Sequence, residues 1–152
     1  MISVALARRL RDTGLRWEPA RGDCFVIADR GIDDDVFVLS DMTIEVHEFP
    51  SGPEIGFNGT VEWALDSVEK SDTLWLPRED QLRRLLGGTF LRLERHGARH
   101  RVVIDVAGRD AAFEADDPAE AYGTALLHLA TGETPTPTTP ASGLMGADEE
   151  LP

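Results

Sequence analysis

The segment TFLRLERHGARHRVVIDVAGRDAAFEADDPAEAYGTALLHLATG, residues 89–132, constrains the fold more than any other part of the chain. Leu91 and Leu93 alternate with Arg92 and Glu94, while Phe90 is expected at an edge or in a loop. Val102, Ile104 and Val106 then alternate with Arg101, Val103 and Asp105. A two-residue period is that of a half-buried strand. Gly97-Ala98 and Gly108-Arg109-Asp110 carry turn chemistry, and Ala111 to Ala115 make a third short run, so the segment reads as an antiparallel meander. The period then changes to that of a helix. Asp117 is placed to cap it, Pro118 suits the first turn, and Glu120 stands three residues after the cap. Tyr122, Ala125, Leu126 and Leu129 form the core stripe, His128 is expected to face water, and Gly132 ends the helix. A meander running into an amphipathic helix must bury one sheet face against something, and the helix is the natural cover. That is an α+β arrangement.

The N-terminal part offers the same ingredients in another order. From Ser3 to Thr13, Leu6 and Leu10 lie four apart, Ile2 lies one turn earlier, and Arg8, Arg9 and Arg11 fall mostly on the other side. This predicts an amphipathic helix stopped by Gly14, with Leu15 folding back. CFVIA (24–28) and VFVLS (36–40) are strand-like runs joined by DRGIDDD, and MTIEVHEF (42–49) is a third, half-buried strand ended by PSGP (50–53). Residues 55–69 admit two readings. Asn58-Gly59 is a hairpin signal, yet Val61, Ala64, Leu65 and Val68 follow helical spacing, and the helix is favoured. TLWLP (73–77) is a short extended piece. A helix follows Pro77, with acids in its first turn, Arg83 and Arg84 near its end, and Gly87-Gly88 as its stop. The expected architecture is therefore α+β. Two antiparallel β units, at about 24–49 and 90–115, are packed with an N-terminal helix, two central helices and a C-terminal helix. The chain has 152 residues, and residues 1–132 are expected to form one globular domain. Residues 133–152 are rich in proline, threonine and acid without apolar period, and are expected to form a disordered tail.

Net charge is −13 and unevenly spread. Residues 31–72 hold eleven acids against one lysine, whereas residues 73–132 hold nine acids against eight arginines. The acidic middle repels phosphate backbones, which argues against a nucleic-acid partner and suits a partner protein with a basic surface. No apolar run approaches the ~20 residues of a membrane span. The start MISVALARRLRDTG places its apolar part before its arginines, the reverse of a secretory leader, so a cytoplasmic, membrane-free protein is expected.

The densest acid cluster, GIDDDVFVLSD (31–41), raises the question of a hard-cation site at Asp33, Asp34, Asp35 and Asp41. Consecutive aspartates at a turn cannot all face one ion. Asp41 would lie about 20 Å from Asp35 across an extended strand. The turn reading is favoured, because Asp side chains bond local backbone amides. HEFPS, starting at His47, lacks the second histidine of a zinc-protease HExxH, and Pro50 breaks the helix that motif needs. His96 and His100 flank a turn and could approach each other, but no third ligand is evident. RGD (21–23) reads as a loop fragment, and Cys24 as a small core residue. Lys70, the sole lysine, has no glycine neighbours, so no phosphate-binding loop exists. No cofactor is implied. Trp17, Trp63 and Trp75 all stand near loop junctions, where tryptophan serves either as core or as a binding hot spot.

Three segments, GLRWEPARGDCFVI, FNGTVEWALDSV and LWLPREDQLRRLL, resemble a group of small actinobacterial proteins to which the description pilus assembly protein is often attached. The resemblance covers most of residues 1–132 and spares the tail. It implies at most an accessory role in pilus assembly, because the ATPase from which that description derives carries the phosphate-binding loop missing here.

The sequence thus points to a non-enzymatic interaction or regulatory module. Asp33, Asp34, Asp35, Asp41, Trp63 and Trp75 are the expected interaction surface. Two alternatives stand beside it: a small metal-dependent hydrolase using Asp33 to Asp41 with His47, and an immunity-type or phage-derived protein that masks a basic partner.

Overall fold

A computed structural model describes residues 1–27, 35–39, 43–50, 52–58, 67–69 and 72–132. The described residues form an α+β structure of three α-helices and three antiparallel three-stranded sheets. Helix α1 spans Val4–Asp12, capped by Ser3, whose hydroxyl accepts the Leu6 N–H. Strand β1 (Cys24–Ile27) lies between the two-residue β2 (Phe37–Val38) and β6 (Thr73–Leu76), forming sheet A. Strands β3 (Thr43–Phe49), β4 (Gly52–Asn58) and β5 (Ser67–Glu69) form sheet B. Helix α2 (Glu79–Leu86) runs through a short 3-10 turn, Gly87–Thr89, into sheet C, which contains β7 (Phe90–His96), β8 (Arg99–Val106) and β9 (Arg109–Ala115). Helix α3 (Pro118–Thr131) closes the described chain.

Sheet C and α3 follow the sequence closely. Asp117 accepts the Ala119 N–H at 2.8 Å, Pro118 occupies the first turn, and Gly132 takes the left-handed conformation at φ 72°. Glu120 does not complete a capping box, because its carboxylate accepts the Ser3 N–H and ties the start of α1 to α3. The β8–β9 turn has two left-handed residues, Ala107 at φ 53° and Gly108 at φ 80°, with the Asp105 carboxylate accepting the Gly108 N–H. Two successive positive φ values match the right-handed twist of a hairpin. Val102 and Ile104 are fully buried beneath α3 together with Phe113 and Tyr122.

Two expectations about this region, for the leucines of β7 and for His128, are corrected. Leu91 and Leu93 stay exposed, because α3 covers β8 and β9 and leaves β7 at the rim. Phe90 begins the edge strand, in line with the expectation, and its half-buried ring packs against the core, tilted against Tyr122 with centroids 5.6 Å apart and the Arg83 guanidinium over it. His128 packs on Phe113, ring centroids 5.1 Å apart.

The first β unit is also corrected. β1 and β2 pair antiparallel as expected, but β3 does not join them. It pairs with β4 in a separate sheet, and β6, fifty residues along the chain, takes the other side of β1. β3 ends at Phe49, directly before PSGP as expected, and Gly52 and Pro53 already begin β4. Residues 52–58 and 67–69 are extended, so the favoured helix over 55–69 fails at both its described ends. Residues 59–66 between them, and 133–152 after α3, lie outside the described residues.

The main core joins these parts. Ile2, Leu6 and Leu10 of the α1 region meet Val26, Leu74 and Leu76 from one face of sheet A, and Val102, Ile104 and Phe113 from sheet C. α1 crosses α3 at Gly123, where a Cβ would stand 2.8 Å from Leu6 Cδ2 and 3.3 Å from Ile2 Cγ2. A side chain there would have to push the Leu6 and Ile2 methyl groups aside, so glycine lets the two helices meet this closely. Cys24 packs half-buried against the same core.

Candidate functional site

The second face of sheet A carries a different cluster. In antiparallel strands, directly opposed residues share a face. Phe25 lies opposite both Phe37 and Trp75, so these three rings form one row across the sheet. The Phe25–Phe37 centroids are 5.6 Å apart. Trp17, from the loop after α1, completes the row at 5.7 Å from Phe25 and stacks on Trp75 at 6.4 Å with ring planes 5° apart. Ile27 and Leu39 fill the space around them.

Asp23 fixes this arrangement. It immediately precedes β1 and is 1% exposed, yet it carries a carboxylate. A buried carboxylate persists only when donors replace the water it has lost. One oxygen accepts the Trp17 indole N–H at 2.9 Å and the Ala20 N–H at 3.0 Å. The other accepts the Gln81 side-chain amide at 2.6 Å and the Arg78 guanidinium at 3.3 Å. Gln81 also accepts the Arg78 N–H through its amide oxygen at 2.9 Å, which caps α2. Arg78 further donates to the Gly22 carbonyl. Asp80 bonds the other side of Arg78 and, against partial desolvation, holds the guanidinium pKa above its ordinary value. One carboxylate therefore ties the Trp17 loop, the start of β1 and the N-terminus of α2 together. Of the RGD tripeptide, Asp23 is inaccessible in this junction, Gly22 is half-buried and Arg21 is exposed.

Beside the tryptophan stack, a cleft of about 180 Å³ opens between α1 and β6. Ala7, Leu10, Leu15, Leu74 and Pro77 make its apolar walls, the two indoles make one side, and exposed Arg11 stands at its rim. An apolar cavity of about 150 Å³ accepts benzene, so this one has room for a phenyl ring or a leucyl side chain. Trp75, which lines the cleft, has an indole N–H shielded from solvent that meets no acceptor among the described residues. Leaving such a donor unmet costs about 1–3 kcal/mol. The lining of the cleft favours an apolar body.

Of the six residues expected to form an interaction surface, Trp75 is at this cleft. Asp35 is exposed just before β2, at the opposite edge of sheet A. Asp33, Asp34, Asp41 and Trp63 lie outside the described residues, as do the side chains of His47 and its strand. Among the described residues, no group of three or more His, Cys, Asp or Glu is placed to hold a metal ion. His96 and His100 separate onto the two faces of sheet C. His96 bonds Glu114 at 2.8 Å, and His100 bonds the Asp116 carbonyl at 2.9 Å. No helix among the described residues is long and apolar enough to cross a membrane.

Asp23, Gln81 and Arg78 were not singled out by sequence reasoning. A tryptophan indole needs an acceptor when buried, and Asp23 is the next acid but one after Trp17, so half of the junction had a signal. The partners from α2, 55 and 58 residues away, had none.

No family model, curated protein or solved structure matches this chain.

Proposed function

We propose that the protein is a non-enzymatic interaction module that captures an apolar side chain of a partner protein in the cleft between α1 and β6. The observation that carries this reading is the preformed aromatic wall, with Trp17 locked by the buried Asp23 and half-buried Trp75 stacked on it. Aromatic anchors held rigid beside a pocket are the usual carriers of binding energy in protein interfaces. The polar side chains nearby are already engaged with one another through Asp23, which suits them to holding the wall in place. The acidic segment 31–72, which leads into and out of β2, supplies attraction for a partner whose anchor is flanked by basic groups. An accessory place in a larger assembly, such as a pilus, is compatible with such a module.

The test uses the full chain immobilised beside a Leu15→Trp variant that fills the cleft. The expected result is a basic protein retained by the wild type, released by N-acetyl-leucinamide and not retained by the variant. Equal retention by both chains would overturn the reading.

A further inference from the structure

Sheet C has a free edge. β8 pairs with one side of β7, and among the described residues no strand pairs with the other. A free edge presents unpaired backbone amides and carbonyls to any strand that fits. The same rim is uncovered on its helix side. Leu93 lies opposite Val102 and so shares its face, yet Leu93 is 38% exposed whereas Val102 is fully buried. Leu91 is exposed as well.

We propose that β7 pairs with β7 of a second copy of this chain, antiparallel about a two-fold axis through Leu93, giving one continuous six-stranded sheet. The charges select both the occupant and the register. A two-fold axis normal to an antiparallel pair passes through one residue of the strand, so each candidate register can be judged by what it brings together. Through Arg92, the axis sets Arg92 against Arg92. Through Glu94, it sets Glu94 against Glu94. Through Leu93, it sets Arg92 of each copy opposite Glu94 of the other, twice, on the outer face. The two Leu93 side chains then meet on the helix side, and the register shift between Phe90 and Arg92 confines the regular pairing to Arg92 and the residues after it. Within one chain Arg92 pairs with Glu94 and with Asp110, each at 3.2 Å, and Glu94 lies 3.6 Å from Arg101, but Arg92 and Glu94 stay 51% and 36% exposed and keep bonding capacity for one partner more. The other edge of sheet C meets repulsion in its central register. An axis through Ala112, in the middle of β9, sets Asp110 against Glu114 on both sides. Pairing along one strand buries less than the ~1,200 Å² of a stable interface, so the dimer is reversible and concentration-dependent.

Sedimentation equilibrium on the full chain tests this. The wild-type mass should rise with concentration from 16.7 kDa toward twice that value. Arg92→Glu alone and Glu94→Arg alone should each associate at least tenfold more weakly, because each places like charges across the axis. An equimolar mixture of the two variants should recover association, since the reversed charges then face each other. Leu93→Lys, which puts two ammonium groups at the axis, should abolish it in an otherwise wild-type strand. Three results would each overturn the proposal: a wild type that stays monomeric up to about 1 mM, where specific binding fades; single variants that associate like the wild type; or a mixture that fails to associate while both variants keep the wild-type circular dichroism.

Discussion

Sheets A and C solve one problem in different ways. Each contributes one face to the main core and must do something with the other. Sheet C covers its outer face with charge. Arg92, Glu94, His96, Arg101, Asp110 and Glu114 pair across neighbouring strands and shield Val103, which is 1% exposed between them. Sheet A covers its second face with aromatic rings and hangs them on one buried carboxylate. The first solution distributes its stability over many exposed pairs, each contributing little. The second concentrates it at a single position and leaves a cleft behind. A distributed surface tolerates change, whereas a concentrated one is fragile and can hold a site in shape.

The largest expected effect follows from that contrast. Asp23→Ala should cost about 3 kcal/mol, because it leaves the donors of Trp17, Ala20 and Gln81 without their acceptor, while part-exposed Arg78 keeps Asp80. Denaturant titration measures it, and a loss of under about 1 kcal/mol would make sheet A as tolerant as sheet C. Trp17→Phe keeps a ring over Phe25 but removes one of the four donors. It should cost about 1–2 kcal/mol and quench the sensitivity of Trp75 fluorescence to its neighbour.

At the sheet C end, Asp117→Ala should cost about 1 kcal/mol through its lost helix cap. Burial pushes the Asp117 carboxyl up, but the N-terminal amine and the amides of Ala119 and Glu120 outweigh it and hold the group below its ordinary 3.8. A depressed carboxylate pKa contributes stability that is present above the unfolded value and lost as pH falls through the folded one. Asp117→Asn keeps the cap and removes the titration. It should therefore destabilise at neutral pH by less than the alanine variant and flatten the loss of stability below about pH 4. An unchanged acid limb would remove Asp117 from the account. The smallest effect should be a gain. Ala107 sits at φ 53°, where a Cβ is strained, and Ala107→Gly should raise stability by about 0.5–1 kcal/mol in a thermal melt.

The two halves also differ in how far the sequence reveals them. Sheet C and α3 are built from neighbours: alternation, a two-residue turn and a cap lie within consecutive residues, and each signal points the same way. Sheet A joins β1 to a strand fifty residues on, and no periodicity encodes which strand pairs with which. The Val61 to Val68 spacing suggested a helix, whereas the flanking β4 and β5 are extended. Ile55 and Phe57 in β4 and Val68 in β5 suit a strand as well as a helix, and pairing decides between them. The site was half legible. Trp75 was singled out as a residue that tryptophan chemistry makes worth attention. Asp23 was passed over as part of a loop, because a lone aspartate in sequence carries no sign of the distant arginine and glutamine that satisfy it.

The cleft between α1 and β6 is most directly tested by indole N–H resonances of the ¹⁵N-labelled chain during titration with N-acetyl-phenylalaninamide. A single side chain without the rest of a partner should bind on the order of millimolar. The account predicts saturable shifts of the Trp17 and Trp75 signals that vanish in Leu15→Trp. Signals that stay still, or that move equally in the filled variant, would contradict it.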